Sequence, residues 1–246
     1  MIITLFDIET FPNVGYVWGK WKQNVIAFKQ PWYMLSFAYK TYGEKKVHAY
    51  SLPDFKGYKK DKKNDKELCQ KLWDLLDKSD IVIAHNGRAF DVRKTQAKFL
   101  EHGFPPPTPF QQIDTLSVVR KYFKFDSNKL DDLGKMLKVG KKLPHEGFKL
   151  WTDCGEDDIP SAWKKMVAYN KQDVQLLEDI YVKMRPWVAD HPNLNLLNNT
   201  QDKCPKCSGI MHKRGFAVTR VAKYQRLQCQ SCGGWSQRPL TKGIVR

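Results

Sequence analysis

The order of strand-like and helix-like segments is the feature that most constrains how this chain can fold. The runs before Asp65 are rich in aromatic and β-branched residues and are punctuated by Gly, Pro or Asn: ITLFDIE, NVGYVWGKW, WYMLSFAYKTYG and KKVHAYSL. After Asp65, helical segments such as KELCQKLWDLLDK alternate with the short runs IVIAHN and QIDTL. This order predicts an α/β fold, in which an antiparallel three-stranded start continues into a parallel part of one mixed sheet flanked by helices.

A long helix is predicted at about residues 161–187, because apolar residues recur there with helical spacing. Pro186 ends this pattern, and the next segment, HPNLNLLNNTQDK, is rich in Asn and in turn-forming residues. We therefore predict a main domain at residues 1–187, a linker at 188–203 and a small second domain at 204–246. A chain of 246 residues has room for one sizeable α/β domain with such an appendage.

The chain is strongly basic, with 42 Lys and Arg against 26 Asp and Glu and a net charge of +16. This charge favours a polyanionic partner, nucleic acid or an anionic membrane surface, and does not by itself choose between them. No segment approaches the roughly 18–20 uninterrupted apolar residues of a membrane span. The first residues carry neither a basic leader nor a small-residue cleavage site. We therefore expect a soluble, cytoplasmic protein without a membrane partner.

Four of the six cysteines form two C-x-x-C units, Cys204/Cys207 and Cys229/Cys232, which are separated by 21 residues with a strand-like segment between them. Without a signal peptide, such units indicate a metal site in a reducing compartment. The pattern predicts a small β zinc-ribbon domain with one structural Zn²⁺, since this segment has too few large apolar residues to build a core. A redox dithiol pair is the alternative, but no thioredoxin-like pattern surrounds these cysteines.

The cysteine-containing segment is also the basic part of the chain, because residues 203–246 carry ten Lys and Arg and no Asp or Glu. The basic residues are interleaved with Phe216, Tyr224 and Trp235, a combination that suits the phosphates and bases of single-stranded nucleic acid. Docking onto a separate replication or repair protein is the competing role. In both cases the segment is expected to bind and not to catalyse.

Asp7 and Glu9 lie two residues apart in a predicted strand, so both side chains project from the same face. Neighbouring buried carboxylates repel each other unless a cation is present, and residues 1–19 contain no Lys or Arg. A divalent metal ion explains the pair economically. An exposed turn after a strand is the alternative for this pair taken alone.

Two further carboxylates occur later in the chain. Asp173 lies four residues after Tyr169 on the long helix, on a face that is otherwise apolar, where an Asp is usually paired or bound to metal. An Asp at the edge of that stripe can instead reach water. Asp91 follows the Asn86-Gly87 turn at the start of a helix, where an Asp is often a cap or a dipole partner.

Together, these segments resemble the three motifs of the DEDD superfamily of 3′–5′ exonucleases, which have the ribonuclease H-like fold. Tyr stands four residues before Asp173 and residue 168 is Ala, which is similar to the DEDDy branch and not to the branch with a His five residues before the Asp. The DEDDy branch includes the proofreading domains of several DNA polymerases. The resemblance covers residues 1–185, with the motifs FDIET at Phe6–Thr10, NGRAFD at Asn86–Asp91 and Tyr169-x-x-x-Asp173, and the connecting stretches Ile113–Leu116 and Lys129–Gly134.

The resemblance implies a catalytic site that holds two Mg²⁺ or Mn²⁺ ions. Asp7 would bridge the two ions, and Glu9 and Asp173 would complete the site of the attacking water. Asp91 would act chiefly at the second ion, partly through water. Tyr169 would be a neutral hydroxyl that positions the water.

The resemblance also implies substrate contacts and an activity. Thr10 and Phe11 would contact the terminal nucleotide, and Asn86 would fix the turn of the second motif and touch the substrate. We therefore expect an enzyme, a 3′–5′ exonuclease that hydrolyses phosphodiester bonds from the 3′ ends of single-stranded nucleic acid, with DNA favoured over RNA. A structure-selective endonuclease on the same fold and a non-catalytic nucleic-acid-binding adaptor are the alternatives.

Overall fold

The computed structural model describes residues 1–21 and 23–240. The strands in this part of the chain are β1 (Ile3–Phe11), β2 (Val14–Tyr16), β3 (Ala27–Gln30), β4 (Tyr33–Thr41), β5 (His48–Ser51), β6 (Ile81–Ala84), β7 (Gln111–Asp114), β8 (Met211–Val218), β9 (Lys223–Cys229) and β10 (Trp235–Pro239). The α-helices are α1 (Lys66–Leu76), α2 (Asp91–Glu101), α3 (Thr115–Tyr122), α4 (Leu130–Met136), α5 (Lys149–Gly155), α6 (Pro160–Met184) and α7 (Leu194–Leu197). Short 3-10 turns occur at Leu52–Asp54, Lys56–Lys59 and Arg185–Trp187.

Five strands form the main sheet in the order β5-β4-β1-β6-β7. The β1–β4 and β4–β5 pairs are antiparallel, whereas the β1–β6 and β6–β7 pairs are parallel. Helices pack against this mixed sheet, and the predicted α/β fold class is confirmed.

Alternate residues of β1 face two different buried cores. Phe6 and Ile8 pack in one core with residues of α1 and α2, whereas Ile3 and Leu5 pack in the other with residues of α6. Because side chains alternate along a strand, Asp7 and Glu9 project from the same face of β1 as Ile3 and Leu5, which is the face that α6 covers. The strand therefore brings two carboxylates to the layer that α6 occupies.

The 25-residue helix α6 covers this face and begins with Pro160, whose fixed φ and missing N–H suit the first helical turn. Leu177 and Ile180 pack in the same core as Leu5. Asp173 lies one turn earlier on α6 and is only 1% exposed. The helix predicted at about residues 161–187 is confirmed, with its last three residues forming a 3-10 turn.

The β2 and β3 strands form a separate two-stranded hairpin. The antiparallel part of the main sheet therefore consists of β1, β4 and β5. The strand-like run NVGYVWGKW is not part of that sheet. Gly15 allows the two hairpin strands to approach closely, because a Cβ at this position would clash with the Val25 side chain. Most large apolar side chains of the hairpin are exposed.

Strands β8, β9 and β10 form a three-stranded antiparallel sheet in the order β10-β9-β8, and the predicted small β module is confirmed. Residues 188–203, predicted as a linker, contain α7 and pack against the main domain. His191 Nε2 hydrogen-bonds with the Tyr181 hydroxyl at 2.8 Å, and Leu194 is buried.

The domain limits stay a prediction, and residues 241–246 of the predicted second domain lie outside the described residues. Within the described ranges, no helix is both long enough and apolar enough to cross a membrane.

Candidate active site and cysteine centre

Three carboxylates meet where β1 faces α6. One oxygen from each of Asp7, Glu9 and Asp173 lies within 4.8 Å of the other two. Two oxygens bound to one divalent cation at about 2.0–2.6 Å lie at most about 5.2 Å apart. The three side chains are therefore close enough to share a cation.

Asp91, the first residue of α2, joins this group from a third element and is 2% exposed. Its Oδ1 accepts a hydrogen bond from the backbone N–H of Ile8 at 3.2 Å. Phe90, not Asp91, occupies the N-cap position of α2. The Asp91 carboxylate is thus hydrogen-bonded to β1 at Ile8, the residue between Asp7 and Glu9.

The turn before α2 is fixed by a residue that the sequence analysis did not single out. Asp114, at the end of β7, accepts hydrogen bonds from the backbone N–H groups of Asn86 at 3.0 Å and Arg88 at 3.1 Å. Asn86 has a φ of 66°, and a Cβ at Gly87 would lie 2.5 Å from the Ala84 Cβ. These contacts determine the backbone conformation of the turn that leads into α2.

Lys142 is a site residue that the sequence analysis missed. Its ammonium group donates a hydrogen bond to the Tyr169 hydroxyl at 2.9 Å and forms an ion pair with Asp173 Oδ2. The other oxygen, Asp173 Oδ1, is buried without a hydrogen-bond partner among the described residues. One carboxylate oxygen of the site is therefore left for a ligand that the protein itself does not supply.

Asn170 holds the central carboxylate. Its Nδ2 donates a hydrogen bond to Asp7 Oδ2 at 2.6 Å, while its own Oδ1 accepts one from the Ser36 hydroxyl at 3.2 Å. Asn170 and Ser36 are fully buried, so this arrangement is set by the packing of α6 on β4. Ser36 therefore orients the amide, and the amide orients Asp7.

Aromatic rings line the side of the site nearest Tyr169. The His145 and Trp151 rings lie edge-on to the Tyr169 ring, with centroid distances of 4.8 and 6.1 Å. These rings restrict the orientation of the Tyr169 hydroxyl.

The two residues after Glu9 differ in their accessibility. The Thr10 hydroxyl accepts a hydrogen bond from Lys94 Nζ at 3.3 Å and is partly exposed. The Phe11 side chain is 1% exposed and stacks on Tyr33 at a centroid distance of 5.2 Å. A substrate contact through the Phe11 ring would require the ring to leave the core, so Thr10 is the better placed of these two residues to contact a substrate.

The electrostatics of the site are unfavourable without a cation. Burial raises the pKa of Asp7 well above its usual value, and the charges of the three neighbouring carboxylates raise it further. Burial is also the main cause that raises the pKa of Glu9 to about 8 and that of Asp91 to about 7. Burial raises the pKa of Asp173 despite the nearby Lys142 ammonium group. One ammonium group therefore does not compensate four carboxylates.

The donor set fits a hard divalent cation. The oxygens converge within bonding range, one of them lacks a partner, and the carboxylates need positive charge to ionise together. Mg²⁺ and Mn²⁺ prefer such oxygen ligands, whereas softer metals prefer nitrogen or sulfur.

A family model described as the RNase H superfamily matches residues 28–185. The chain belongs to the RNase H superfamily. Asp91, Tyr169 and Asp173 lie within the matched range, and Asp7 and Glu9 precede it. Membership supports a nuclease function with a nucleic-acid substrate. RNase H-like nucleases use divalent metals, which agrees with the donor set.

The fold of this RNase H superfamily member is also similar to that of the family B DNA polymerase from the hyperthermophilic archaeon Pyrobaculum calidifontis. The TM-score is 0.54 at 13% sequence identity, over 76% of this chain and 25% of the polymerase chain. At this identity the likeness shows the fold alone, and the chain spans a quarter of the polymerase's length. No curated protein matches the sequence.

The four predicted cysteines also converge, with their sulfur atoms all within 4.8 Å of one another. The Sγ atoms are 3.8 Å apart in the Cys204–Cys232 pair and 3.5 Å apart in the Cys207–Cys229 pair. A tetrahedron with Zn–S distances of about 2.3 Å has edges of about 3.8 Å, so the thiols fit Zn²⁺. A Cβ at Gly209 would lie 2.9 Å from Cys229 Sγ, which explains the glycine there.

The cysteine module rests on the segment that follows α6. The Lys206 ammonium group donates a hydrogen bond to the Pro186 carbonyl at 2.7 Å. The backbone N–H of Leu194 also donates to the Pro205 carbonyl at 2.8 Å. These contacts fix the module against the 3-10 turn and the short helix α7, which follow α6.

Proposed function

We propose that this RNase H superfamily member is a DEDDy-type 3′–5′ exonuclease that acts on single-stranded nucleic acid, with DNA preferred over RNA. The convergence of Asp7, Glu9 and Asp173, with Asp91 bound to the backbone beside them, carries this proposal. The four carboxylates come from the three motifs in the order that the DEDD resemblance requires. Tyr169 one helical turn before Asp173 supports the DEDDy branch.

The carboxylates would hold two Mg²⁺ or Mn²⁺ ions. Asp7 lies among the other acidic groups and would be shared by both ions, while Glu9 and Asp173 would help hold one ion and Asp91 the other. When bound, two such cations activate water and stabilise the oxygen that leaves phosphorus. The protein's contribution is to fix the ligands, which Asn170 does for Asp7.

Tyr169 and Lys142 orient the reacting groups. Burial and the nearby Asp173 raise the pKa of Tyr169, so its hydroxyl stays protonated and donates or accepts hydrogen bonds without acting as a base. Lys142 contacts both the Tyr169 hydroxyl and the Asp173 carboxylate, and so fixes the positions of these two groups relative to each other. Thr10 is the proposed contact to the terminal nucleotide, and Asn86, which shapes the turn of the second motif, is a further proposed contact to the substrate.

The cysteine module would hold one structural Zn²⁺ and bind the same nucleic acid. Its exposed basic residues support this role, because cationic side chains near aromatic ones suit a single strand. Binding to a separate replication or repair protein is the alternative for this module. The proposed domain limits remain 1–187, 188–203 and 204–246.

Hydrolysis of end-labelled single strands tests the proposed function. DNA and RNA oligonucleotides labelled at the 5′ end should be shortened in steps of one nucleotide with Mg²⁺ or Mn²⁺, and should stay intact with EDTA. The same strands labelled at the 3′ end should release the label at once as a mononucleotide. A strand with a blocked 3′ end should resist the enzyme.

Two other outcomes would replace the proposal. Internal fragments from the blocked strand would indicate a structure-selective endonuclease. Binding without any hydrolysis, in Mg²⁺ and in Mn²⁺, would indicate a non-catalytic adaptor.

A further inference from the structure

The β2–β3 hairpin displays a group of exposed aromatic side chains. Trp18 and Trp21, in the loop that joins its strands, are 90% and 77% exposed. Tyr16 and Phe28, on the strands, are also exposed. Exposed large apolar side chains that are grouped on one short element often mark a binding site, and tryptophan is a frequent anchor in such sites.

The same hairpin is basic. Between Thr10 and Gly43 the sequence contains no Asp or Glu, while the described part of the hairpin contributes Lys20 and Lys29. Cationic groups for phosphates and aromatic rings for bases are the combination that binds single strands without sequence preference. The absence of acidic residues and the superfamily's nucleic-acid substrate favour a nucleic acid over an apolar protein surface as the occupant.

The base of the hairpin is connected to the active site. The Asn13 side chain accepts a hydrogen bond from the Trp32 backbone N–H at 2.8 Å, which joins the two ends of the hairpin. Lys94 Nζ lies 3.9 Å from the Trp32 ring centroid and also bonds to the Thr10 hydroxyl. Thr10 follows Glu9 directly, so a row of polar, cationic and aromatic groups leads from the carboxylates to the hairpin.

The length of the hairpin suits a strand of several nucleotides. From Val14, at the start of β2, to Trp18 the chain spans up to about 13 Å at about 3.3 Å per residue. A strand whose 3′ end lies at the carboxylates would therefore meet the tryptophans with nucleotides that lie several positions toward its 5′ side.

We propose that the β2–β3 hairpin is a binding arm, on which Trp18 and Trp21 stack the bases of single-stranded nucleic acid on the 5′ side of the nucleotide being removed. The direction of the strand rests on the proposed exonuclease function. The stacking itself requires no hydrolysis, so the two can fail separately.

Binding of oligothymidylates of 4 and 20 nucleotides by the full chain in EDTA tests the arm. The Trp18→Ala/Trp21→Ala double variant should bind the 20-mer at least about tenfold more weakly, because base–aromatic stacking contributes a factor of about 5 to 150 per base. Its affinity for the 4-mer should change less than about twofold, because that strand occupies only the active site. The Trp18→Phe/Trp21→Phe variant should retain most of the 20-mer affinity.

Leu100→Ala is the matched control, because Leu100 on α2 is 81% exposed and its loss also removes a large apolar side chain from the surface. It should leave both affinities unchanged. The far-ultraviolet circular dichroism of all variants should match that of the wild type.

An unchanged 20-mer affinity in the folded alanine variant would overturn the proposal that the hairpin binds nucleic acid. A protein or a membrane would then be the partner that the exposed tryptophans bind. An equal loss for the 4-mer and the 20-mer would also overturn it, since the effect would then lie at the active site. If the wild type binds as expected but hydrolyses nothing in Mn²⁺, the exonuclease proposal fails while the arm stands.

Discussion

The two candidate metal centres of this chain are built in opposite ways. The carboxylates lie between a buried strand and a buried helix, and other side chains orient them by hydrogen bonds. The cysteines lie at the turns of a small sheet whose side chains are mostly exposed. The first centre uses a core that apolar packing already stabilises, whereas the second has almost no core without a metal.

This difference separates what a metal does for chemistry from what it does for folding. At the carboxylate centre, burial and the neighbouring carboxylates raise the pKa of Asp7, and a cation would allow the carboxylates to ionise together within a core that is already packed. At the cysteine centre, the metal would link the two C-x-x-C units at the end of a small sheet that has little apolar core. Removal of each metal should therefore have distinct consequences.

The largest expected effect is the loss of hydrolysis in Asp7→Asn. Turnover should fall by more than about a thousandfold, because metal ligands act as a unit. The metal-free variant should be at least as stable as the wild type, since an amide replaces a buried carboxylate whose pKa is raised. Steady-state kinetics with Mn²⁺ and thermal unfolding in EDTA measure the two properties.

Asp126→Asn, which neutralises an exposed carboxylate, is the control and should change neither property. Near-normal turnover in Asp7→Asn would remove this residue from the metal site.

The next effect concerns the cysteine centre. Cys229→Ser should reduce bound zinc from one ion per chain to none, and the amides of β8–β10 should lose protection from hydrogen exchange while those of β1 and β6 keep it. Hydrolysis should persist at high enzyme concentration and low salt, with weaker substrate binding and a shallower dependence of log affinity on log salt. Elemental analysis and hydrogen exchange measure these changes.

Ser231→Ala, which changes a residue inside the second C-x-x-C unit that is not a cysteine, should retain zinc and protection. Full protection of β8–β10 in the zinc-free Cys229→Ser protein would show that the module folds on its own and would remove the contrast between the two centres.

The orienting residues should give smaller effects. Tyr169→Phe and Lys142→Met should each lower kcat by about 10- to 100-fold, the usual range for groups that orient metal ligands. Their KM values should change little, because neither side chain is a proposed contact to the nucleotide. A loss as large as that in Asp7→Asn would mean that the residue takes part in the chemistry directly.

The smallest effect is a pH dependence of stability. The folded pKa of Glu9, about 8, lies above its unfolded value, so the folded state binds the extra proton. The stability that results is fully present below the unfolded pKa and is lost as the pH rises toward about 8. In EDTA, the free energy of unfolding of the wild type should therefore fall relative to that of Glu9→Gln between pH 5 and 8.

Mn²⁺ should reverse this loss most strongly at the upper end of the range, because the metal needs ionised carboxylates. A constant difference between wild type and Glu9→Gln at all pH values would show that Glu9 has an ordinary pKa in the folded protein.

The acidic residues that the sequence motifs singled out lie close together in the fold, and there is a physical reason why motifs could find them. A metal site fixes residue type and spacing, so Asp7, Glu9 and Asp173 carry their signal within short motifs. Lys142 lies in the segment GKKLP, where a lysine is usually solvated, and only the tertiary fold brings it to Asp173. Asp114 likewise acts across the sheet, on a turn 26 to 28 residues earlier.

Exposure was the other property that the sequence did not reveal. The run NVGYVWGKW has the composition of a sheet strand, yet its tryptophans lie on a hairpin outside the main sheet. Phe11, conversely, follows the first motif as a substrate contact would, but β1 turns its ring into the core. Strand composition specifies local extension and does not specify which sheet the strand joins.

Anomalous diffraction from crystals grown in Mn²⁺ with a single strand bound tests the contrast between the centres most directly. We expect two manganese peaks about 3.5–4 Å apart among Asp7, Glu9, Asp91 and Asp173, and one zinc peak among the four cysteines. The protein backbone around the carboxylates should match the metal-free structure. A carboxylate site that holds no manganese, with Lys142 still paired to Asp173, would contradict the account.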